Sequence, residues 1–482
     1  MGLDTDCAHK GNAMMKSTTP KLLGVALNGD AYEILKALGN KKRQEQVRLF
    51  YWRPSIGKDR YTAIVDPAIP LPLESEMIET GNVSFTDSYL RRVLAAAPEG
   101  SGIGIVHNHF GPGWQGLSHD DARTEGEYLA PVASAARKLP LLGMTIAGDW
   151  TLSARFWRTE QNKTILQDID QIRVVGKQFL IFRRPNSSLR LTNTDNRIAT
   201  LSVWGEEKQA LLESLRIGIV GLGSVGSMVA EGLARMGVRN FVLIDHDRLE
   251  RRNLDRTVGT FCIDAFLHRP KVSIAKRTVR QVATSKRPRI KCFITKLQDE
   301  HSLRALQDCD FVFSCVDRHL PRYMLNFLAY SHLIPVIDGG IHIGLPSKGK
   351  PSLDISWRTH LAAPGRPCLQ CIGAYEYSKV GLERDGLIDD PHYINAAPEI
   401  KQEYDARENV FCFSMRCAAH EIIHFLGYAL NEPAVSPSFP QMYFAGAGLM
   451  FKAPFQTAEI CNPECQVKQL DSRAIDLGKI LC

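Results

Sequence analysis

One tract restricts the fold of this chain more than any other. The apolar run Arg216-Ile217-Gly218-Ile219-Val220 passes directly into Gly221-Leu222-Gly223-Ser224-Val225-Gly226 and then into a helix-forming stretch, Ser227 to Met236. A strand that turns on glycines into a helix opens a parallel α/β unit that binds phosphate. Gly221 permits the tight turn, Gly223 lets the backbone approach phosphate, and Gly226 lets helix and strand pack closely. The phosphates would lie at the helix N-terminus, where free N–H groups point outwards. A second apolar run, Asn240 to Ile244, ends in Asp245, an acid placed to accept hydrogen bonds from ribose hydroxyls. This much describes a nucleotide-binding unit, and it suits an NAD(P) dehydrogenase as well as any other enzyme.

A second constellation carries different chemistry. His107-Asn108-His109 is followed by Ser118-His119-Asp120-Asp121, the spacing H-x-H-x8-S-x-x-D. The run Gly102 to Val106 reads as a buried strand, and alternation along it puts His107 and His109 on one face. Gly111, Pro112, Gly113 and Gly116 mark a turn-rich loop, and Ser118 suits the N-cap of a helix from Ala122 to Ala136. Asp121, in its first turn, can swing back to the histidines. Two imidazoles and a carboxylate form a three-ligand zinc shell with one position open, the arrangement of hydrolytic zinc sites. An isolated H-x-H is usually an exposed pair; the complete spacing behind an apolar strand favours a metal. His119 and Asp120 read as solvated helix-start residues.

Composition bounds the rest. With 482 residues the chain can form two or three domains, and 44% hydrophobic and 23% charged residues are ordinary for a globular protein. No apolar run has the length of a membrane span. Met1 to Pro20 is polar and lacks a signal-peptide core, so a cytoplasmic protein is expected. Twelve cysteines, several paired at metal-ligand spacing, fit a reducing compartment. The net charge of +7 is concentrated: Arg269 to Lys291 holds nine Lys or Arg and no acid. Such a run could contact nucleic acid, but the solvated face of a helix is the favoured reading.

The histidine constellation resembles that of the JAMM (JAB1/MPN-type) metalloisopeptidases, which remove or trim ubiquitin-like proteins. The resemblance implies that His107, His109 and Asp121 bind zinc and that Ser118 stabilises the oxyanion. It also calls for an upstream glutamate as general base. Glu45 matches by order along the chain, between a helix (Ala31 to Leu38) and a strand (Val47 to Trp52), with Glu33, Glu74, Glu76 and Glu79 as rivals.

The glycine-rich half resembles the ubiquitin-activating-enzyme superfamily, of ThiF/MoeB type. The similarity is carried by Asp245-His246-Asp247-Arg248-Leu249-Glu250-Arg251-Arg252-Asn253-Leu254-Asp255-Arg256, by His268-Arg269-Pro270-Lys271-Val272, and by Asp310 to Asp317 with Arg322 following. Thr257 and His268 stand where glutamine and glycine are common in that family. The resemblance implies that Gly221, Gly223 and Gly226 cradle ATP and that Asp245, with Asp247 beside it, holds the ribose. Asn253, Arg256 and Lys271 would contact phosphates, with Arg322 at the family's spacing. Asp317 would bind Mg²⁺, and Arg197 would reach the triphosphate of a partner subunit, implying a homodimer.

Cys368 and Cys371, with Cys461 and Cys465, form two close pairs that suit a closed structural zinc, as in that family's knuckles. The second pair is spaced by three residues instead of two. For a thioester-forming cysteine the candidate is Cys412; core packing is the competing role for it and for Cys417.

The expected architecture is therefore α/β. A polar lead-in (1–20) precedes a JAB/MPN metalloprotease fold, a curved sheet with helices (21–182). A linker (183–196) leads to a Rossmann-like ThiF/MoeB-type adenylyltransferase domain with a zinc knuckle (197–482), in which Gly373 to Val410 is read as a mobile crossover loop. The expected function is bifunctional: ATP-dependent adenylation of the C-terminal glycine of a ubiquitin-like carrier, and zinc-dependent cleavage after that glycine. A conjugating-type enzyme is a further expected partner. Sulfur-carrier activation for biosynthesis is the alternative, and a non-catalytic scaffold the third reading.

Overall fold

The computed structural model describes residues 22–39, 45–80, 82–160, 163–185, 191, 198–344, 354–405, 408–432, 439–452, 461 and 465–481. The lead-in, most of the expected linker, and Arg197 lie outside the described residues. No described helix is long and apolar enough to cross a membrane.

The N-terminal half is built on a nine-stranded mixed sheet. Its central strands run in the order Leu22–Asn28, Arg60–Val65, Val47–Ile56, Gly102–Asn108, Leu141–Ile146. Gly102–Asn108 is buried along its whole length, antiparallel to Val47–Ile56 and parallel to Leu141–Ile146. Apolar residues on both faces of such a strand require cover on both sides. One side is closed by Gly29–Gly39, with Ala31 and Leu35 in its core, and the other by Ala130–Arg137 and Asp87–Ala95.

The expected helix from Ala122 to Ala136 differs in detail. Ser118 caps a short helix, His119–Arg123, that widens into a π-helical segment, Thr124–Leu129, before the regular turns of Ala130–Arg137. The capping box between Ser118 and Asp121 starts the element early, and the wider segment shifts its inward face.

The C-terminal half carries an eight-stranded sheet. Arg289–Phe293, Asn240–Ile244, Arg216–Val220, Phe311–Ser314 and Val336–Gly344 are parallel neighbours, the Rossmann-like part, and three antiparallel strands extend one edge. Ser224–Arg235 and Phe411–Ala429 pack together on one face. Lys271–Val282 buries Val272, Ile274, Ala275, Thr278 and Val279, so the first part of the basic run alternates with a core-facing stripe, whereas Arg289 and Lys291 fall in the strand Arg289–Phe293. The segment expected to be a loop, Gly373 to Val410, instead contains helices Tyr377–Arg384, Pro391–Ala396 and Pro398–Asp405. Val380 and Ile388 bury apolar surface there, and Asp390 caps a helix with proline in its first turn.

The halves share a core. Ala26, Ile64, Val175 and Phe179 pack in one cluster with Ile217, Phe311, Phe425 and Tyr428, and the rings of Phe179 and Phe311 lie 4.7 Å apart. Asp310, almost wholly buried, receives Arg60 at 2.8 Å and Arg173 at 3.4 Å from the other half. Those two guanidinium groups, with the Arg216 N–H, hold its carboxyl well below the ordinary range against the cost of burial.

Candidate functional sites

Alternation along Gly102–Asn108 and the cap of the following helix bring three donor groups to one point. His107 Nε2 and His109 Nε2 are 3.1 Å apart, and Asp121 Oδ2 is 3.5 Å from each. Donors at zinc-bond length around a tetrahedral ion stand about 3.3 Å from one another. The donor set therefore fits such an ion in type and spacing. Asp121 is steered there by Ser118, whose hydroxyl donates to Asp121 Oδ2 at 2.7 Å and accepts the Asp121 N–H at 3.1 Å. The histidines and Ser118 hold the Asp121 carboxyl far below its ordinary pKa, while Asp121 pushes His109 up. His119 and Asp120 are exposed.

Glu45 belongs to the same place. Val47 pairs with His107 in the antiparallel register, and continuing that register sets Glu45 opposite His109, on which its charge acts. The rivals are elsewhere: Glu33 pairs with Lys36, and Glu76 is held by Arg92 and the Leu73 N–H. Glu74 lies exposed in the 3-10 turn Glu74–Glu76, and the Glu79 side chain is outside the described residues.

Sequence reasoning missed Glu125 and Arg155. Glu125, 1% exposed, lies 3.9 Å from His107 Nδ1, on the opposite side of the ring from the donor cluster. Its place four residues after Asp121 was the available signal, since helical neighbours share a face.

In the C-terminal half Gly221 has φ 85°, and a Cβ at Gly226 would collide with the Gly221 carbonyl oxygen. Both positions require glycine. A Cβ at Gly223 would meet nothing within 4 Å, which leaves its backbone open to a ligand. Asp245, buried at the end of Asn240–Ile244, accepts the Leu222 N–H at 2.6 Å and the Asp247 N–H at 2.7 Å, and burial raises its pKa. Lys271 Nζ donates to Asp247 Oδ2 at 2.7 Å from the first turn of Lys271–Val282. Asn253 Oδ1 accepts the Glu250 N–H, and Arg256 bonds the Arg252 carbonyl and Asp255. Asp317 is exposed in the bend after Phe311–Ser314. Arg322 is turned instead to buried Asp338, at 3.1 Å. Asn409, just before the helix Phe411–Ala429, donates to Ser224 Oγ at 2.8 Å and ties that helix to the glycine-rich turn.

The four paired cysteines meet. Cys368, Cys371, Cys461 and Cys465 offer sulfurs within 4.8 Å of one another, and the Cys368 and Cys465 sulfurs are 3.6 Å apart. Zinc–thiolate bonds imply about 3.8 Å between sulfurs, so the set fits a closed zinc site. Backbone N–H groups of Cys368 and Cys371 point at sulfurs of Cys461 and Cys368. Cys412 is exposed in the first turn of Phe411–Ala429, whereas Cys417 is buried and its thiol is pushed far up by burial and by Glu421.

Residues 194–381 match the ThiF family. The chain is 31% identical to the molybdopterin-synthase adenylyltransferase of Escherichia coli over 37% of its length, and 33% identical to that of Haemophilus influenzae over 28%. It is 28% identical to the adenylyltransferase and sulfurtransferase MOCS3 of Drosophila willistoni over 38%. It spans 66%, 53% and 38% of those three proteins. Among solved structures, E. coli MccB with ATP aligns with 57% of this chain and 75% of its own, at 17% identity and a TM-score of 0.42.

Proposed function

We propose that the ThiF-family half adenylates the C-terminal carboxylate of a ubiquitin-like carrier protein, and that the N-terminal half is a JAMM-type metalloisopeptidase acting just beyond that carboxylate. The adenylation reading is carried by the glycine turn with Asp245 at the neighbouring strand end. Adenylation needs ATP held with its α-phosphorus towards the carboxylate, and little acid–base chemistry. Gly223 leaves backbone room for phosphate, Gly221 and Gly226 permit the tight turn that presents it, and Asp245 accepts from the ribose. Lys271 and Arg256 neutralise phosphate charge as Lys271 leaves Asp247, and Asn253 adds a donor. Asp317 would hold Mg²⁺, a cation that commonly takes one carboxylate and completes its shell with phosphate and water. Arg197, by chain order, would complete the site of the second subunit in a homodimer.

The hydrolase reading is carried by three donors meeting at tetrahedral spacing beside Glu45. Zinc held by His107, His109 and Asp121 would polarise the scissile carbonyl and acidify water. Glu45 takes the proton from the attacking water and returns it to the leaving amine. The Ser118 hydroxyl, turned away from Asp121 Oδ2, donates to the oxygen on which charge develops. Both activities address one carrier terminus, one exposing the carboxylate that the other activates. The four cysteines hold a structural zinc, and Cys412 is the residue that would take a thioester.

Ubiquitin-like proteins encoded in the same genome, each carrying a short C-terminal peptide extension, serve as probes. Wild type cleaves the extension and supports ATP:pyrophosphate exchange with the trimmed carrier. His107→Ala or Glu45→Gln abolishes cleavage and leaves exchange intact; loss of exchange in these variants overturns the two-site reading. Sulfur-carrier activation is the second reading, favoured by the relatives named for molybdopterin synthase and sulfurtransferase. Intact mass of the carrier after incubation with ATP and a sulfide donor separates thiocarboxylate from conjugate.

A further inference from the structure

Glu125 has no part in the reaction just described, yet it is a carboxylate in the protein interior beside a metal-binding histidine. Burying a charge is costly unless partners compensate. Its Oε2 accepts from Arg155 Nε at 2.7 Å and from Trp157 Nε1 at 2.6 Å, and a second Arg155 nitrogen bonds Oε1. Arg155 is itself anchored, donating to Thr145 Oγ1 at 2.8 Å, and Thr145 pairs with His107 in the parallel register. Oε1 faces His107 Nδ1 at 3.9 Å, while His107 Nε2 meets His109 and Asp121. The imidazole therefore stands between the donor cluster and a fixed carboxylate.

The surroundings are shaped to keep that carboxylate in place. The π-helical segment Thr124–Leu129 turns Glu125 and Gly126 inward. A Cβ at Gly143 would overlap the Glu125 carboxylate, and a Cβ at Gly126 would press on the Trp157 ring at 2.7 Å. Two positions without side chains thus flank one ion pair. An ion pair that only joined helix to strand would have no need to face an imidazole.

We infer that Glu125 is a positioning residue for His107. Its negative charge favours the tautomer with the proton on Nδ1, which leaves the Nε2 lone pair aimed at the cluster and makes the ring a better ligand. The inference rests on the zinc reading of His107, His109 and Asp121. It adds that metal affinity is set by a carboxylate outside the ligand set, supported by Arg155 and Gly143.

The test uses the full-length protein equilibrated in zinc buffers of graded free zinc, with bound zinc counted by elemental mass spectrometry. The ion lost in His107→Ala identifies the histidine-site zinc, and the cysteine-site zinc is the internal reference. Glu125→Gln raises the free zinc needed for half occupancy of the histidine site about 10- to 100-fold. Excess zinc restores cleavage of the carrier fusion, which a collapsed site would not allow. Because Glu125→Gln strands the Arg155 charge, the double variant Glu125→Gln, Arg155→Met is measured beside it and shows the same weakened zinc binding. Wild-type affinity in either folded variant overturns the inference. Equal zinc content in wild type and His107→Ala overturns the zinc reading itself, and this inference with it.

Discussion

At the scale of single residues, the two sites place different demands on their side chains. Lys271 and Asp317 are surface or near-surface groups with little share in the core. Replacing either with alanine is expected to lower ATP:pyrophosphate exchange at least a hundredfold while thermal stability stays within a degree or two. A similar loss of stability in these variants would argue for a structural role instead. Ser118 combines two tasks, since its hydroxyl caps a helix and steers Asp121. Ser118→Ala is expected to cost about 1 kcal/mol of stability and to reduce cleavage far more than that loss explains, as measured by urea unfolding and by turnover at saturating zinc. The donor spacing and the glycine turn were readable from short stretches of sequence. Glu45 was readable only as an order along the chain, because its neighbour His109 is brought to it by strand pairing.

At the scale of elements, the buried Asp310 joins the end of one half's central sheet to the other half's Arg60 and Arg173. Asp310→Ala would leave two guanidinium groups without their carboxylate, with an expected loss of about 3–5 kcal/mol, read as a lowered urea midpoint. An unchanged midpoint would show that the pair contributes nothing to cohesion. Nothing in the local pattern around Asp310 announces this partner, since the residue reads equally well as the start of a strand. The helices between Gly373 and Val410 were likewise hidden, because acidic and turn-forming residues dominate that stretch and its few apolar anchors are far apart. Conversely, the basic run after Arg269 lies on the outer face of a helix only as far as Val282, where apolar residues recur at helical spacing, while Arg289 and Lys291 belong to the strand Arg289–Phe293.

At the scale of the whole molecule, the shared core makes acid stability a property of both halves. His332, His360 and His424 are buried and neutral, and burial lowers their pKa values to about 4, 3 and 4. In the unfolded chain they titrate near 6.5, so between about pH 6.5 and 4 the unfolded state binds protons that the folded state does not. Stability is therefore full above pH 6.5 and falls as pH drops towards 4, by up to about 3 kcal/mol for each histidine. His332 also contacts Ser55 across the two halves, at 2.8 Å. Urea midpoints between pH 7.5 and 4.5 should show this decline, with a shallower slope in His332→Gln; an identical slope removes His332 as a cause.

What the sequence determined by itself is what short-range periodicity carries. A strand entering glycines and a helix, two histidines alternating on a strand, a serine cap three residues before an aspartate, and two close cysteine pairs each place side chains within one element or across one turn. The tertiary structure decided every juxtaposition that spans elements. It set Glu45 against His109, joined cysteines 93 residues apart in chain order, turned Glu125 inward behind His107, and fused two sheets through Asp310 and Phe179. Those pairings depend on strand order, register and a shared apolar core, which no local spacing encodes.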